Sequence, residues 1–331
     1  MVNFNKQKKV DSVQGALALR PQIEKIVDGI CEAGYRNICW MGIGGTWASA
    51  MQATVHMKQY SGIEVWAENA AEYLTTGNKR IGKGTVVITS SVTGSTVEVV
   101  AAIKKAQDAG AVIIGFIDRP ETELAKMVDH EIAYDENEQL KFFMVADRFM
   151  KNAGDFDQYD DQYANYDEHL AEALVSVEER ADEFAAAFAK KHCEDSIHYF
   201  VGAGNQWGAT YSYAMCYWEE QLWMKTKSIT APEFFHGMFE IVTKETPVTI
   251  YVGEDAQRSL SERVVKFIPR ICANYTVIDT ADYELAGIKP EYRGDISHLV
   301  MHAVNNRIDV HMEIETRHPM DIRRYYRCLD Y

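Results

Sequence analysis

The sequence lacks the long apolar runs, the excess positive charge and the paired cysteines that mark several large classes of protein. No stretch of 18 or more apolar residues occurs, so no membrane-spanning helix is expected. The opening residues, MVNFNKQKKVDSVQ, are basic but lead into no apolar region. A secretory leader is therefore not expected, and the cytoplasm is the expected location. Thirty-four Lys and Arg stand against 49 Asp and Glu, a net charge of −15, which argues against a nucleic-acid partner. The same balance does not exclude a small anion, because local dipoles can hold one phosphate inside an acidic protein. The six cysteines (Cys31, Cys39, Cys193, Cys216, Cys272 and Cys328) show no CxxC spacing, and no Cys/His cluster has ligand spacing. They are read as reduced and structural, and no metal site is expected.

What the chain does have is a repeated alternation of strand and helix. Its 331 residues suit two domains of ordinary size, and 47% apolar content supports a real core. Strands are expected at Asn37–Gly42, Ile63–Ala67, Thr85–Ser91, Ala111–Ile117 and His130–Tyr134, then at Ile197–Gly202, Val248–Gly253, Tyr275–Asp279 and Leu299–Ala303. Helical patterns between them, such as Thr96–Ala109, predict an α/β fold of parallel sheets covered by helices. Gly154–Glu168, acidic and rich in tyrosine, reads as a linker or exposed loop before a helix that runs to about Lys191. The expected division is an N-terminal helical segment over 1–25, one domain over 26–168 and a second over 169–331. NICWMGIGGTWASA and IHYFVGAGNQWGAT share strand, Gly-x-Gly and Trp, with Gly42/Gly202, Gly44/Gly204 and Trp47/Trp207 each 160 residues apart. That agreement predicts an internal duplication.

The clearest chemical signal is Thr85–Thr96, TVVITSSVTGST, an apolar strand that enters a loop of small hydroxyl residues before a helix. A helix N-terminus offers unpaired N–H groups and the positive end of its dipole. Ser91, Thr93 and Thr96 add neutral donors, and Gly94 lets the backbone close around an anion. Ordinary helix capping needs one such hydroxyl, whereas this loop supplies several. Gly42-Ile43-Gly44-Gly45-Thr46 forms a second strand-to-helix turn expected at the same sheet edge. A dinucleotide fits poorly, because GxGxxG is absent and Trp47 would obstruct a pyrophosphate; a Walker A lysine is also missing. A sugar phosphate is the expected ligand.

Apolar residues at 207, 211, 214, 215, 218 and 222 predict one continuous helix. Glu220 then falls on a second face shared with Tyr213, Cys216, Tyr217 and Met224. Local pattern alone allows a solvated end-of-helix carboxylate beside Glu219, or a base tuned by partial burial. His236 is by itself an ordinary structural histidine, although Glu233-Phe-Phe-His236-Gly237 marks a turn able to present it. Arg317–Tyr331 is the one basic segment, read either as a helix packed on the body or as a group of contacts (Arg323, Arg324, Tyr331) for an acidic substrate end.

SSVTGST after its strand resembles the phosphate loop of the sugar isomerase (SIS) domain, and GIGGTWAS resembles that domain's other substrate loop. FVGAGNQWGATYSYAMCYWEEQLWMKTKSITAPEFFHG is similar to the matching stretch of the isomerase half of glucosamine-6-phosphate synthase, where a Glu precedes a His by sixteen residues, as Glu220 precedes His236 here. Two departures argue against amino-sugar synthesis: Val2 stands where the synthase has a nucleophilic Cys, and Tyr217 where it has a lysine. The chain resembles most the bacterial fructosamine deglycases, which split 6-phosphorylated Amadori compounds into glucose 6-phosphate and an amino acid.

The resemblance implies two tandem flavodoxin-like, three-layer αβα domains. It implies Glu220 and His236 as catalytic residues, and Gly45, Thr46, Ser91, Thr93, Gly94 and Thr96 as phosphate and substrate contacts. It also implies a homo-oligomer, at least a dimer, with His236 serving the neighbouring subunit. No organic cofactor is expected, because the substrate's own nitrogen and carbonyl stabilise the intermediate. The rival readings are a ketose–aldose isomerase, an amino-sugar-phosphate deaminase, and a sugar-phosphate-binding protein without catalysis.

Overall fold

The computed structural model describes residues 1–329. The chain runs α1 (Lys6–Leu17), α2 (Arg20–Ala33), β1 (Asn37–Gly42), α3 (Gly45–Tyr60), β2 (Val65–Asn69), α4 (Ala70–Thr76), β3 (Thr85–Ser91), α5 (Val97–Asp108), β4 (Val112–Ile117), α6 (Glu123–Met127), β5 (His130–Ile132) and α7 (Glu138–Asn152). There follow α8 (Tyr159–His192), β6 (His198–Gly202), α9 (Asn205–Ser212), β7 (Thr226–Thr230), α10 (Ala231–Phe234), β8 (Val248–Val252), α11 (Arg258–Phe267), β9 (Tyr275–Asp279) and α12 (Ser297–Thr316). Contacts divide the chain into two compact units: Lys8–Glu168, and Met1–Gln7 together with the chain from His169 onward.

The Lys8–Glu168 unit holds a five-stranded parallel sheet in the order β2-β1-β3-β4-β5. Every residue of β1 and β3 is buried, as a strand covered by helices on both faces requires. Alternation along β1 sends Cys39 and Met41 into a core with Val99, Ala102 and Ile103 of α5. Trp40 faces the other way, its ring 4.8 Å from Phe142 of α7. The second unit holds a four-stranded parallel sheet, β7-β6-β8-β9, with Val201, Ile250, Val264 and Phe234 in its core. Arg307 of α12 is buried there against Asp182 of α8 at 2.6 Å and donates to the Val2 carbonyl at 2.9 Å.

Four expectations are corrected. Leu299–Ala303 lies inside α12, where Val300, Met301, Val304, Ile308 and Met312 bury one helical stripe. Gly154–Glu168 is largely the start of α8, and Tyr159, Tyr163 and Tyr166 are buried on one side of it at spacings of four and three. The α-helix from Asn205 ends at Ser212 and continues as a π-helix, Tyr213–Glu219. Tyr213 and Trp218, five residues apart, therefore both turn inward, and Tyr213 does not share the face of Glu220. The chain from 317 to 329 forms turns and no helix. β7 has no counterpart among the expected strands, since TKSIT is short and half polar.

Tyr213 donates to Oδ1 of Asp309 at 2.7 Å, in a site where burial pushes the Asp309 carboxyl up to about 8. An ordinary Asp titrates near ~4. The folded state thus holds this proton more tightly, and its stability falls as pH rises from about 4 towards about 8. Asp309→Asn is expected to remove that part of the slope. Urea midpoints for both proteins at pH 5, 6.5 and 8 check this: the variant should gain on the wild type as pH rises, and a constant difference would refute it.

Candidate active site

Strands β1 and β3 are parallel neighbours, with Met41 beside Thr89, so their C-terminal ends share one edge of the sheet. The chain leaves β1 towards β2 on one side and β3 towards β4 on the other. This is the switch point where open α/β sheets bind ligands. After β1, Gly44 (φ 61°, ψ −128°) caps α3, placing the N–H groups of Gly45 and Thr46 in its first turn. The Thr46 hydroxyl donates to Oε2 of Glu138 at 3.3 Å.

After β3, the Ser91 hydroxyl accepts the Gly94 N–H at 3.0 Å and folds the loop back on itself. Gly94 has φ 59°, and a Cβ there would stand 2.1 Å from Oγ1 of Thr122, so glycine is required. Thr93 and Thr96 are half-buried. Thr96 caps α5 by position but makes no side-chain capping bond, which leaves its hydroxyl available at the helix N-terminus. Gly45, Thr46, Ser91, Thr93, Gly94 and Thr96 are thus all on two loops of one sheet edge.

Two further groups at this edge carry no sequence motif. Asp118 follows β4, and its N–H donates to the Ser91 carbonyl at 3.4 Å. Burial pushes its carboxyl up to about 6, against the opposing pull of Lys141, whose Nζ is 3.9 Å away. Lys141 is buried, donates to the Tyr134 carbonyl, and lies over the rings of Phe116 and Tyr134. The charged residue after the fourth strand was the available signal, and nothing in its local sequence separates it from a surface acid.

The second unit repeats the first turn and then fills it. Gly204 has φ 61° and ψ −136°, nearly the values of Gly44, and α9 starts at the next residue as α3 does. Here Oδ2 of Asp255 accepts the Asn205 N–H at 2.6 Å, and Oε1 of Gln257 accepts the Gly204 N–H at 3.1 Å. The chain's own carboxylate occupies the position an anion would take.

Glu220 stands at the end of the π-helix, its N–H bonded to the carbonyl of Met215 at 3.0 Å. Glu219, the neighbouring acid, is exposed and accepts a 2.5 Å bond from the Thr226 hydroxyl. Glu220 is instead half-buried, and Oε1 accepts from Nε of Arg323 at 2.7 Å. Arg324 lies 4.2 Å above the Trp223 ring, and the His318 ring is also 4.2 Å from that ring. Arg323 and Arg324 therefore both pack at the Glu220 segment, while Tyr331 lies outside the described residues. His236 is exposed in the turn after α10, held by its N–H to the Glu233 carbonyl at 2.9 Å.

Among the described residues, His192, Asp195 and His198 bring ligand-type atoms within 4.8 Å of one another, a grouping that the His-x-x-Asp-x-x-His spacing could have disclosed. Oδ2 of Asp195 faces both Nδ1 atoms, at 2.7 and 2.8 Å, and Nε2 of His198 meets the Thr249 hydroxyl at 2.8 Å. Burial holds His198 down at about 4, and the set ties the end of α8 to β6 through hydrogen bonds to the Asp195 carboxylate. A cavity of about 580 Å³ lies at the other end of the first sheet, lined by α2, Thr85, Val112 and His130, away from both loops.

Residues 33–149 match the SIS domain family. Among curated proteins, a fructosamine deglycase of Bacillus subtilis is 28% identical over 271 residues, covering 80% of this chain and 82% of the relative. A fructoselysine 6-phosphate deglycase of Escherichia coli is 24% identical over 312 residues, covering 92% and 90%. A solved Bacillus subtilis structure described as a candidate phosphosugar isomerase superposes with a TM-score of 0.90 at 25% identity, covering 96% of this chain and 99% of that one. The C-terminal domain of a glucosamine-fructose-6-phosphate aminotransferase from Francisella tularensis shares the fold at a TM-score of 0.78 and 13% identity, covering 96% of each chain. Residues 33–149 thus match the SIS domain family, and over most of its length the chain is similar to bacterial fructosamine deglycases.

Proposed function

We propose that this protein is a fructosamine 6-phosphate deglycase, converting a 6-phosphorylated Amadori conjugate and water into glucose 6-phosphate and a free amino acid. The observation that carries the reading is the likeness to two deglycases over 80% and 92% of the chain. The loops after β1 and β3 support it, since helix N-termini and neutral hydroxyls suit a dianionic phosphate in a protein of net charge −15. In this reading Ser91, Thr93, Gly94 and Thr96 hold the phosphate, with Gly45 and Thr46 near the sugar.

The chemistry is a proton transfer followed by hydrolysis. His236 helps open the sugar ring. Glu220 removes a proton from C1 of the ketoamine, giving an enaminol, and a proton is returned at C2 to give the imine of glucose 6-phosphate. Water adds to C1, the C–N bond breaks with its electrons going to nitrogen, and the amine leaves protonated. The substrate's nitrogen and carbonyl carry the charge, so the step needs no organic cofactor or metal. The exposed ring of His236 suits donation to the active site of a second copy, in a dimer or larger assembly.

Fructoselysine 6-phosphate, glucosamine 6-phosphate and fructose 6-phosphate, assayed for glucose 6-phosphate and ammonia, distinguish the three activities this site chemistry could serve. Glucose 6-phosphate from the first alone is expected; ammonia from the second would mean a deaminase, and glucose 6-phosphate from fructose 6-phosphate an isomerase. Glu220→Gln should lower kcat about 10²–10⁴-fold, as loss of a general base does. Thr96→Val should weaken glucose 6-phosphate binding about tenfold in calorimetry, with little change in melting temperature. Mixed oligomers of Glu220→Gln and His236→Ala chains should regain activity that neither variant has alone, and no recovery would mean that each site is built within one chain.

A further inference from the structure

The contact between Arg323 and Glu220 has a chemical consequence for substrate choice. A carboxylate bound through Oε1 to a guanidinium at 2.7 Å is obstructed at that oxygen, so proton abstraction from carbon by Oε1 requires that pair to open. Both side chains keep about a quarter of their surface exposed, 23% for Arg323 and 27% for Glu220. The pair thus keeps access to water, and a competing carboxylate can reach the guanidinium.

The segment that brings Arg323 is lightly held. Nη1 of Arg323 is bonded to the carbonyls of Met320 and Ile322 in its own turn, and Glu313 accepts the Met320 N–H at 3.3 Å. Arg324 and His318 pack against the Trp223 ring, each at 4.2 Å. The segment's side chains Ile322, Tyr325 and Leu329 stay 45–62% exposed. A second carboxylate arriving beside Glu220 therefore finds a guanidinium that can turn to it with little structural loss.

We propose that Arg323 selects conjugates whose amine half bears a carboxylate, and that it does so by exchange: the substrate carboxylate takes the guanidinium, and Glu220 is released to act as the base. This rests on the deglycase reading and deepens it. Recognition and activation become one event. An Amadori conjugate without a carboxylate leaves Glu220 paired and reacts slowly, even though its phosphate is held in the same way. Arg323 is a specificity and positioning residue in this scheme, and no bond of the reaction forms to it.

The test compares matched 6-phosphorylated Amadori conjugates with and without a carboxylate: glycine against methylamine, and 6-aminohexanoate against hexylamine. The wild type should favour the carboxylate-bearing member of at least one pair by about tenfold or more in kcat/KM. In Arg323→Ala that preference should shrink towards one, because the carboxylate-bearing member slows while the other holds or quickens. Arg323→Lys should restore part of the preference. Equal turnover of both members by the wild type would overturn the inference and leave the deglycase reading intact, as would an Arg323→Ala variant that lowers both members by one factor. A wild type that consumes none of the four would sink the deglycase reading and this inference with it.

Discussion

The parallel pairing of β1 with β3 is the constraint from which the proposed phosphate edge follows. Because the strands run the same way and Met41 sits beside Thr89, both must end at one edge. Because the chain leaves them in opposite lateral directions, the loops diverge and leave a crevice between them. Each loop then enters a helix, α3 or α5, whose first N–H groups have no partner within the helix. Two helix dipoles and a few hydroxyls converge without any cation having to be exposed. An acidic protein can hold an anion there because the positive potential is local and fixed by backbone geometry. The nearby Asp118 carboxyl, raised by burial to about 6, faces Nζ of Lys141 at 3.9 Å, which offsets its charge.

The second unit shows the same turn with its N–H groups met from within the chain. Gly44 and Gly204 differ by only 8° in ψ. A helix start of that geometry leaves N–H groups that cost free energy if buried unpaired. In the first unit the loop after β3 offers hydroxyls, which do not neutralise a positive end. In the second, Asp255 and Gln257 accept the Asn205 and Gly204 N–H groups directly. A carboxylate at 2.6 Å satisfies the dipole from within the chain, so the second turn is closed where the first is open.

Much of this was legible in the sequence because it depends on local rules. Strand-to-helix turns with Gly-x-Gly, the hydroxyl loop and the parallel α/β architecture follow from turn chemistry and hydrophobic runs. The failures have a common physical cause in tertiary context. LVMHA is apolar enough for a buried strand, and only its neighbours at Val304, Ile308 and Met312 make it one stripe of a long helix. The tyrosines at 159, 163 and 166 look like a sticky linker until the core that buries them is present. The π-helix is invisible to a 3.6-residue period, and it reverses the side on which Tyr213 lies. Arg323 was visible as a charge but not as a partner, because 103 residues separate it from Glu220.

The π-helix and the Arg323 contact belong to one problem, how to keep a carboxylate usable at the end of a buried helix. Five-residue turns let Tyr213 and Trp218 both enter the core, which fixes the helix body. Tyr213 is further held by Asp309, whose carboxyl burial keeps largely protonated. Trp218, two residues before Glu220, is fully buried, and Trp223 beyond it takes φ 58°, a left-handed conformation uncommon for a bulky residue. Beyond Glu220, Leu222 is buried and the Met224 N–H bonds the Trp218 carbonyl, while the Glu220 carboxylate itself meets a side chain of the 318–324 turn. A carboxylate so placed has a firm foundation and a removable partner. That combination suits a base that must be charged and fixed before the substrate arrives, and free once it has.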